Sequence, residues 1–287
     1  MTAVIAWERR VGTLRELIVA SDSRLGGGEH WDACAKIFDV GRSDAIIAFA
    51  GDTSRALPLI FQAVATGSSY EGSQLRTLDL PKFAGHLNNV INEVLSRAVG
   101  PAAEDPPDCE FLLCGWSWSL GRFRIYRYFF DASFKRFRYY AYTTAPPGMG
   151  GTKATSMFGA IGDAGPKVMA YLARERNMGG RLMEPLEYEP LEALHQLTRD
   201  DNAPSVGGTL QIAKVYQSIR VEHFAVDVGE GTHVSGRRCL DYENLSLRVI
   251  NRRAAGEWVV ETAQPKGNSR QAFPKEDVKV QALDSSR

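Results

Sequence analysis

At Gly51 the chain changes its hydrophobic period, and that change restricts the fold more than any other feature of the sequence. Ahead of it, short apolar runs at residues 3–7, 17–21, 36–40 and 45–50 are separated by turn-forming stretches such as Gly41-Arg42-Ser43-Asp44, the pattern of β-strands. Beyond it, Ala56, Leu59, Ile60, Ala63 and Val64 recur at helical spacing behind candidate caps at Asp52 and Ser54. Pro58 is expected to shorten or kink this helix, because it lacks an N–H and its ring crowds the preceding turn. A second helix follows Asp79-Leu80-Pro81, with Phe83, Leu87, Val90, Ile91, Val94, Leu95 and Ala98 on one face. Both helices are expected to cover one side of a sheet.

The same alternation recurs downstream. Residues 110–116, 123–130 and 134–143 read as a meander of aromatic-rich strands, and 156–161 as another strand. Gly162-Asp163-Ala164-Gly165-Pro166 then introduces a helix over 167–176, a further helix covers 189–199, and strands return at 209–216 and 222–226. The order strands, two helices, strands, two helices, strands suits two stacked sheets flanked by helices. A doubly wound sheet would alternate strand and helix singly. Past Asp227 only short strand candidates at 248–251 and 258–262 and a polar tail are legible, so a domain over 1–226 is separated from an extension over 227–287. With 44% hydrophobic residues in 287, one sizeable core with an appendage is the natural expectation.

Charge and special residues remove several function classes. Lysine plus arginine (34) equals aspartate plus glutamate (34), so no net field draws the chain to nucleic acid or an anionic membrane. Cys34, Cys109, Cys114 and Cys239 lack the spacing of a zinc or redox site, and His30, His86, His195, His223 and His233 lack metal-ligand spacing, so no metal or other cofactor is expected. His86 and His195 fall on helices as partly exposed structural residues. Gly26-Gly27-Gly28 is a turn and not a phosphate loop, since no Gly-Lys-Ser/Thr follows. The aromatic and arginine-rich stretch 122–142 is explained by strands with one packed and one solvated face. No run of about 18 apolar residues is present, and Glu8, Arg9 and Arg10 interrupt any signal-peptide pattern, which leads to a cytoplasmic expectation.

The chemistry lies near the start. Removal of Met1 would leave Thr2 with a free α-amine beside its own hydroxyl. Such an amine, with a pKa of about 7.7–8.0, can accept the hydroxyl proton without a histidine. Asp22 ends one apolar strand and Lys36 opens the next. Alone, the first reads as a turn former and the second as a solvated lysine. Buried together, they would keep a positive charge near Thr2 and lower the pKa of its amine and hydroxyl. At Ala48-Phe49-Ala50-Gly51-Asp52-Thr53 a strand breaks at glycine and a helix starts, offering a backbone N–H for an oxyanion, although glycine there also serves as a simple turn.

Thr2-Ala3-Val4-Ile5-Ala6, Ile18-Val19-Ala20-Ser21-Asp22-Ser23-Arg24, Ala35-Lys36-Ile37 and Ile47-Ala48-Phe49-Ala50-Gly51 resemble, in order and approximate spacing, the opening of proteasome β subunits and their smaller bacterial relatives. More loosely, Cys114-Gly115-Trp116 resembles a central strand of that family, and Gly159-Ala160-Ile161-Gly162-Asp163-Ala164-Gly165-Pro166 the turn before its third helix. The likeness spans roughly residues 2–226, with most of its specificity in 2–53.

The resemblance implies an α+β fold, a four-layer αββα sandwich of the N-terminal-nucleophile hydrolase type. It implies Thr2 as nucleophile and base, Asp22 and Lys36 as the charge pair, the Gly51 N–H as oxyanion donor, and Phe49 and Thr53 as residues flanking the substrate pocket. Where the family commonly has serine, this chain has Asp163, which would accept a hydrogen bond from the threonine amine and raise its pKa if charged. The family's aspartate-then-serine pair before a double glycine is blurred here into Asp201-Asn202-Ala203-Pro204-Ser205-Val206-Gly207-Gly208. The implied activity is threonine-type cleavage of peptide bonds, in peptide or protein substrates, within a self-compartmentalising homo-oligomer. Room is left for an ATP-dependent unfolding partner of unknown identity. Two other readings stand beside it, a catalytically inactive scaffold of the same fold and an amidase acting on a small amide.

Overall fold

The structure, a computed structural model, describes residues 2–26, 29–100, 105–142, 157–162, 164–175, 186–254 and 256–262. The chain opens with strands β1 (Ala3–Val11), β2 (Leu14–Ser21), β3 (Ile37–Asp39) and β4 (Ala45–Gly51), followed by helices α1 (Thr53–Ser69), the short α2 (Glu71–Gln74) and α3 (Leu80–Ser96). Strands β5 (Cys109–Ser117), β6 (Arg122–Asp131), β7 (Arg136–Ala141) and β8 (Phe158–Gly162) precede helices α4 (Ala164–Glu175) and α5 (Glu189–Leu197). The described chain then adds β9 (Gln211–Tyr216), β10 (Arg220–Asp227), β11 (Thr232–Val234), β12 (Arg237–Arg238), β13 (Val249–Arg252) and β14 (Trp258–Glu261). The architecture is mixed α/β, with large sheets and few helices.

Two sheets organise these strands. One runs β12-β11-β10-β9-β2-β1-β8, with β13 added in parallel to β10 and β14 paired to β13; the other is a meander, β3-β4-β5-β6-β7. Strand parity decides what each face touches. Along β4, Ala45, Ile47 and Phe49 join the apolar cluster with Ala56, Leu59 and Ile60 of α1 and Phe83, Leu87 and Ile91 of α3. The intervening Ile46, Ala48 and Ala50 join a second cluster with Val4 and Ala6 of β1 and Leu17 and Val19 of β2, between the sheets. The alternate residues of β1, namely Ala3, Ile5 and Trp7, pack instead with Val168 and Leu172 of α4 and Leu191 and Leu194 of α5. Strands buried on both faces read as continuous apolar runs, which is why β1 and β4 are so plain in the sequence. Each fully buried large side chain contributes about 1.5–3 kcal/mol.

Several sequence expectations need adjustment. Helix α1 is not shortened by Pro58; it runs to Ser69, capped by the Asp52 carboxylate accepting the Ser54 N–H at 2.9 Å. Pro58 lies on the exposed face, and the helix continues through it. Strand β6 buries aromatics on both faces, Phe123 between the sheets and Tyr128 under the helices, and β7 alone has the half-packed pattern expected of the stretch. The short β11 and β12 carry too few residues for a period to be seen. Past Asp227, Ile250 of β13 and Trp258 of β14 enter the same apolar cluster as Trp7. Gly27 and Gly28 of the expected turn lie outside the described residues.

His195 is more deeply placed than its helical position implied, 4% exposed and edge-on to Trp258 with ring centroids 6.0 Å apart. Burial, reinforced by Arg199 and Arg252, lowers its pKa from 6.5 to about 4. A depressed histidine stays neutral in the folded chain while the unfolded chain protonates, so its contribution to stability is complete above pH 6.5 and is lost as pH falls toward 4. Urea unfolding of His195→Gln should therefore lose less stability than wild type across that interval. Parallel pH profiles for the two proteins would refute the assignment.

Candidate active site

The site is assembled around one carboxylate. Asp22 follows β2 and is fully buried. Its Oδ1 accepts the Lys36 ammonium at 2.7 Å and the Ala3 N–H at 3.0 Å; its Oδ2 accepts the N–H groups of Gly207 at 3.0 Å and Arg24 at 3.2 Å. Four chain segments thus meet at one side chain. Lys36 is also 0% exposed, and burial lowers its pKa from 10.5 while the Asp22 charge and hydrogen bond pull it back up. An ammonium in such a place is tolerated only because its partner is close and itself saturated with donors.

Thr2 stands just ahead of β1 and is 1% exposed. Its backbone is fixed from two sides. The adjacent Ala3 donates its N–H to Asp22, and its carbonyl accepts the Asp22 N–H at 3.3 Å. On the other edge of β1, Ala3 is in register with Gly162, whose φ is +75° and where a Cβ would come within 1.9 Å of the Thr2 carbonyl oxygen. Glycine is required there for β8 to pass so close. The Thr2 hydroxyl receives the Gly51 N–H at 3.1 Å. Gly51 ends β4 with φ +103°, and a Cβ there would lie 2.2 Å from the Asp108 carbonyl oxygen. The glycine allows the chain to turn from strand to helix and leaves its amide aimed at Thr2.

Thr2, Asp22, Lys36 and Gly51 are therefore brought together. Phe49 is not with them. Its parity on β4 turns it away from the facing sheet into the helix-side core, fully buried and stacked on Phe38 at 6.2 Å, so it does not flank open space. Thr53 opens α1 with its Oγ1 buried and without a hydrogen-bond partner. Open space of about 450 Å³ begins at Gly51, bounded by Asp52 and Asp108 on one side and by Arg24, His30, Pro204 and Ser205 on the other. Asp163 and Met1 lie outside the described residues. The segment 201–208, blurred as a motif, reaches the site through its backbone. The Gly207 N–H binds Asp22, and the Gly207 carbonyl accepts the N–H groups of Ser23 and Arg24, each at 3.1 Å. Only the double glycine signalled this contact in advance.

The buried thiols of β5 are poor nucleophiles. Burial, together with Asp52 and Asp108, pushes the Cys109 thiol up to about 12, and burial alone raises Cys114. Among the described residues, no group of three or more histidine, cysteine, aspartate or glutamate side chains is placed to hold a metal ion. No described helix is long and apolar enough to cross a membrane.

No protein-family model matches the chain, and no curated protein matches it in sequence. Among solved structures it is similar to Anbu (ancestral beta-subunit) from Yersinia bercovieri, with a TM-score of 0.51 and 17% identity over 78% of this chain and 87% of that one. It is also similar to the Anbu complex from Pseudomonas aeruginosa, described as a helical assembly, with a TM-score of 0.52 and 18% identity over 76% of this chain and 85% of that one. At such identity the likeness is one of fold. It corrects the family drawn from the sequence motifs: the structural neighbours are Anbu, a proteasome-like family distinct from proteasome β subunits and their smaller bacterial relatives. The motifs of the first 53 residues do not separate one proteasome-like family from another.

Removing one member of the buried pair strands the other. Asp22→Ala is expected to cost about 3–5 kcal/mol in urea unfolding, because a buried ammonium and three N–H groups lose their acceptor. Combining Asp22→Asn with Lys36→Met should recover part of that loss. A cost below about 1 kcal/mol for Asp22→Ala would contradict the coupling described.

Proposed function

We propose that the chain is a threonine-type N-terminal-nucleophile hydrolase that cleaves peptide (amide) bonds. The observation carrying this reading is the Gly51 N–H bonded to the Thr2 hydroxyl at 3.1 Å, with Thr2 anchored next to the carboxylate that holds Lys36. A hydroxyl with no such role needs neither a strand-end amide directed at it nor a buried cation nearby. In this reading the layers form a four-layer αββα sandwich, the catalytic unit ends near Asp227, and the following strands are an appendage. The protein works in the cytoplasm.

Once whatever precedes Thr2 is removed, its α-amine takes the hydroxyl proton as Oγ1 attacks the substrate carbonyl. The Gly51 N–H transfers its hydrogen bond to the developing oxyanion, an interaction strengthened in a site shielded from water. The amine passes the proton to the leaving nitrogen as the amide bond breaks, leaving an ester on Thr2. Water attacks the ester, its proton going to the amine, and the hydroxyl is restored. Lys36, held as a cation by Asp22, favours the unprotonated amine by its potential. In this reading Asp163 is an acceptor for the amine, and Thr53, two residues after Gly51, flanks the substrate pocket. Substrate enters along the space bounded by Asp52, Asp108, Arg24 and His30.

The helical assembly reported for the Pseudomonas aeruginosa Anbu complex supports assembly of this chain into a homo-oligomer. Light scattering at micromolar concentration should give a mass well above that of a dimer; a single-chain mass would refute it.

Thr2→Ala should abolish hydrolysis of fluorogenic peptides with little change in melting temperature, and Thr2→Ser should retain part of it. Lys36→Ala should remove most turnover, and Lys36→Arg should not restore it fully, since a planar guanidinium does not occupy the ammonium position. Intact mass after treatment with an N-terminus-directed electrophile should show one adduct on protein beginning at Thr2. Full activity on protein that retains Met1 would place the nucleophile elsewhere, and a folded protein without turnover on any peptide would favour the scaffold reading.

A further inference from the structure

Gln211, the first residue of β9, is 3% exposed, and its side chain is spent on three backbone groups around the charge pair. Its Oε1 accepts the Lys36 N–H at 3.0 Å, and its Nε2 donates to the carbonyls of Asp22 at 3.1 Å and Cys34 at 2.7 Å. The partners dictate the orientation of the amide, since the N–H requires an oxygen and the two carbonyls require hydrogens. Few side chains answer that demand. A carboxylate would face two carbonyls, and an apolar chain of equal length would strip the Lys36 N–H and the Cys34 carbonyl of this partner, leaving the Asp22 carbonyl only the Ser21 hydroxyl at 2.6 Å.

The placement matters because the pair spans two sheets. Asp22 and Gln211 belong to the sheet containing β2 and β9, where Ser21 and Gln211 are in register. Lys36 immediately precedes β3 in the other sheet, and its carbonyl accepts the Phe49 N–H of β4 at 3.2 Å. No strand ladder therefore fixes the height of Lys36 against Asp22; the Gln211 amide does. We propose that Gln211 is a positioning residue, which locks Lys36 and Asp22 across the gap between the sheets and thereby sets the positive potential at Thr2. The proposal rests on the reading of Thr2 as the nucleophile and acts through Lys36, without contact with substrate.

The test uses full-length protein confirmed by intact mass to begin at Thr2, in four forms: wild type, Gln211→Met, Lys36→Met and the double variant. The first readout is the pH midpoint for acylation of the Thr2 amine by a small acylating reagent, followed by mass spectrometry, which needs no turnover. Gln211→Met should move that midpoint upward by about half a unit or more, because the cation is no longer held in place. The shift should vanish in the Lys36→Met background. The second readout is peptide hydrolysis. Gln211→Met should lower kcat about tenfold with KM little changed, and should cost nothing further once Lys36 is gone. A role limited to holding the backbone would lower stability equally in both backgrounds and leave the amine midpoint alone. A folded Gln211→Met with the wild-type midpoint overturns the proposal. A shifted midpoint in protein that hydrolyses no peptide upholds it while refuting the hydrolase reading. If Gln211→Met cannot be obtained folded, Gln211→Asn, which keeps the amide on a shorter arm, carries the same comparison.

Discussion

The pairing of Asp22 with Lys36 is the interaction on which the rest of the site depends. Both groups are fully removed from water, and the carboxylate satisfies the ammonium together with three backbone N–H groups drawn from the start of β1, the turn after β2 and the loop before β9. A buried ion pair is a poor source of stability compared with packed apolar side chains, and an incomplete one is strongly destabilising. The Asp22 carboxylate ties the segment before β3 and the loop before β9 to the start of β1, next to the residue whose hydroxyl meets the Gly51 amide.

The fold supports that constraint by burying both faces of its central strands. Because β1 shares Ala3, Ile5 and Trp7 with the α4 and α5 side and Val4 and Ala6 with the opposing sheet, its first residues cannot slip by one position without turning every side chain to the wrong layer. Thr2 inherits that fixed register. Gly51 and Gly162 complete the arrangement, each in a backbone conformation and at a distance from neighbouring carbonyls that a side chain would not allow. The precision of the site is thus a property of the sheets, and the cleft beside it is formed by the connections between them.

Similarity to Anbu at 17–18% identity shows how little sequence such an architecture requires. What the chain must conserve physically is the layering of apolar clusters and the few backbone and side-chain groups that converge at Asp22. Those groups come partly from connections, the turn after β2 and the loop before β9, and the clusters extend past β10 to Ile250 and Trp258. Arg24, His30 and Pro204, all in connections, line the cleft.

By itself the sequence determined the order of the longer strands and helices and the strand-to-helix break at Gly51, because each is written in local period, and it singled out Thr2, Asp22, Lys36 and Gly51, which the fold brings together. It did not reach what depends on contacts far apart in sequence. Phe49 sits in a run apolar on both faces, so only the packing of α1 and α3 decided that it belongs to the helix-side core. Arg42 and Asp44 read only as part of a turn, yet they form a buried pair at 2.7 Å, with the guanidinium 4.7 Å over Phe83 of α3. Gln211 lies 175 residues from Lys36, and nothing in its local sequence marks it out. Tertiary structure alone assigned these roles, since burial and hydrogen-bond geometry arise only when distant segments are brought together.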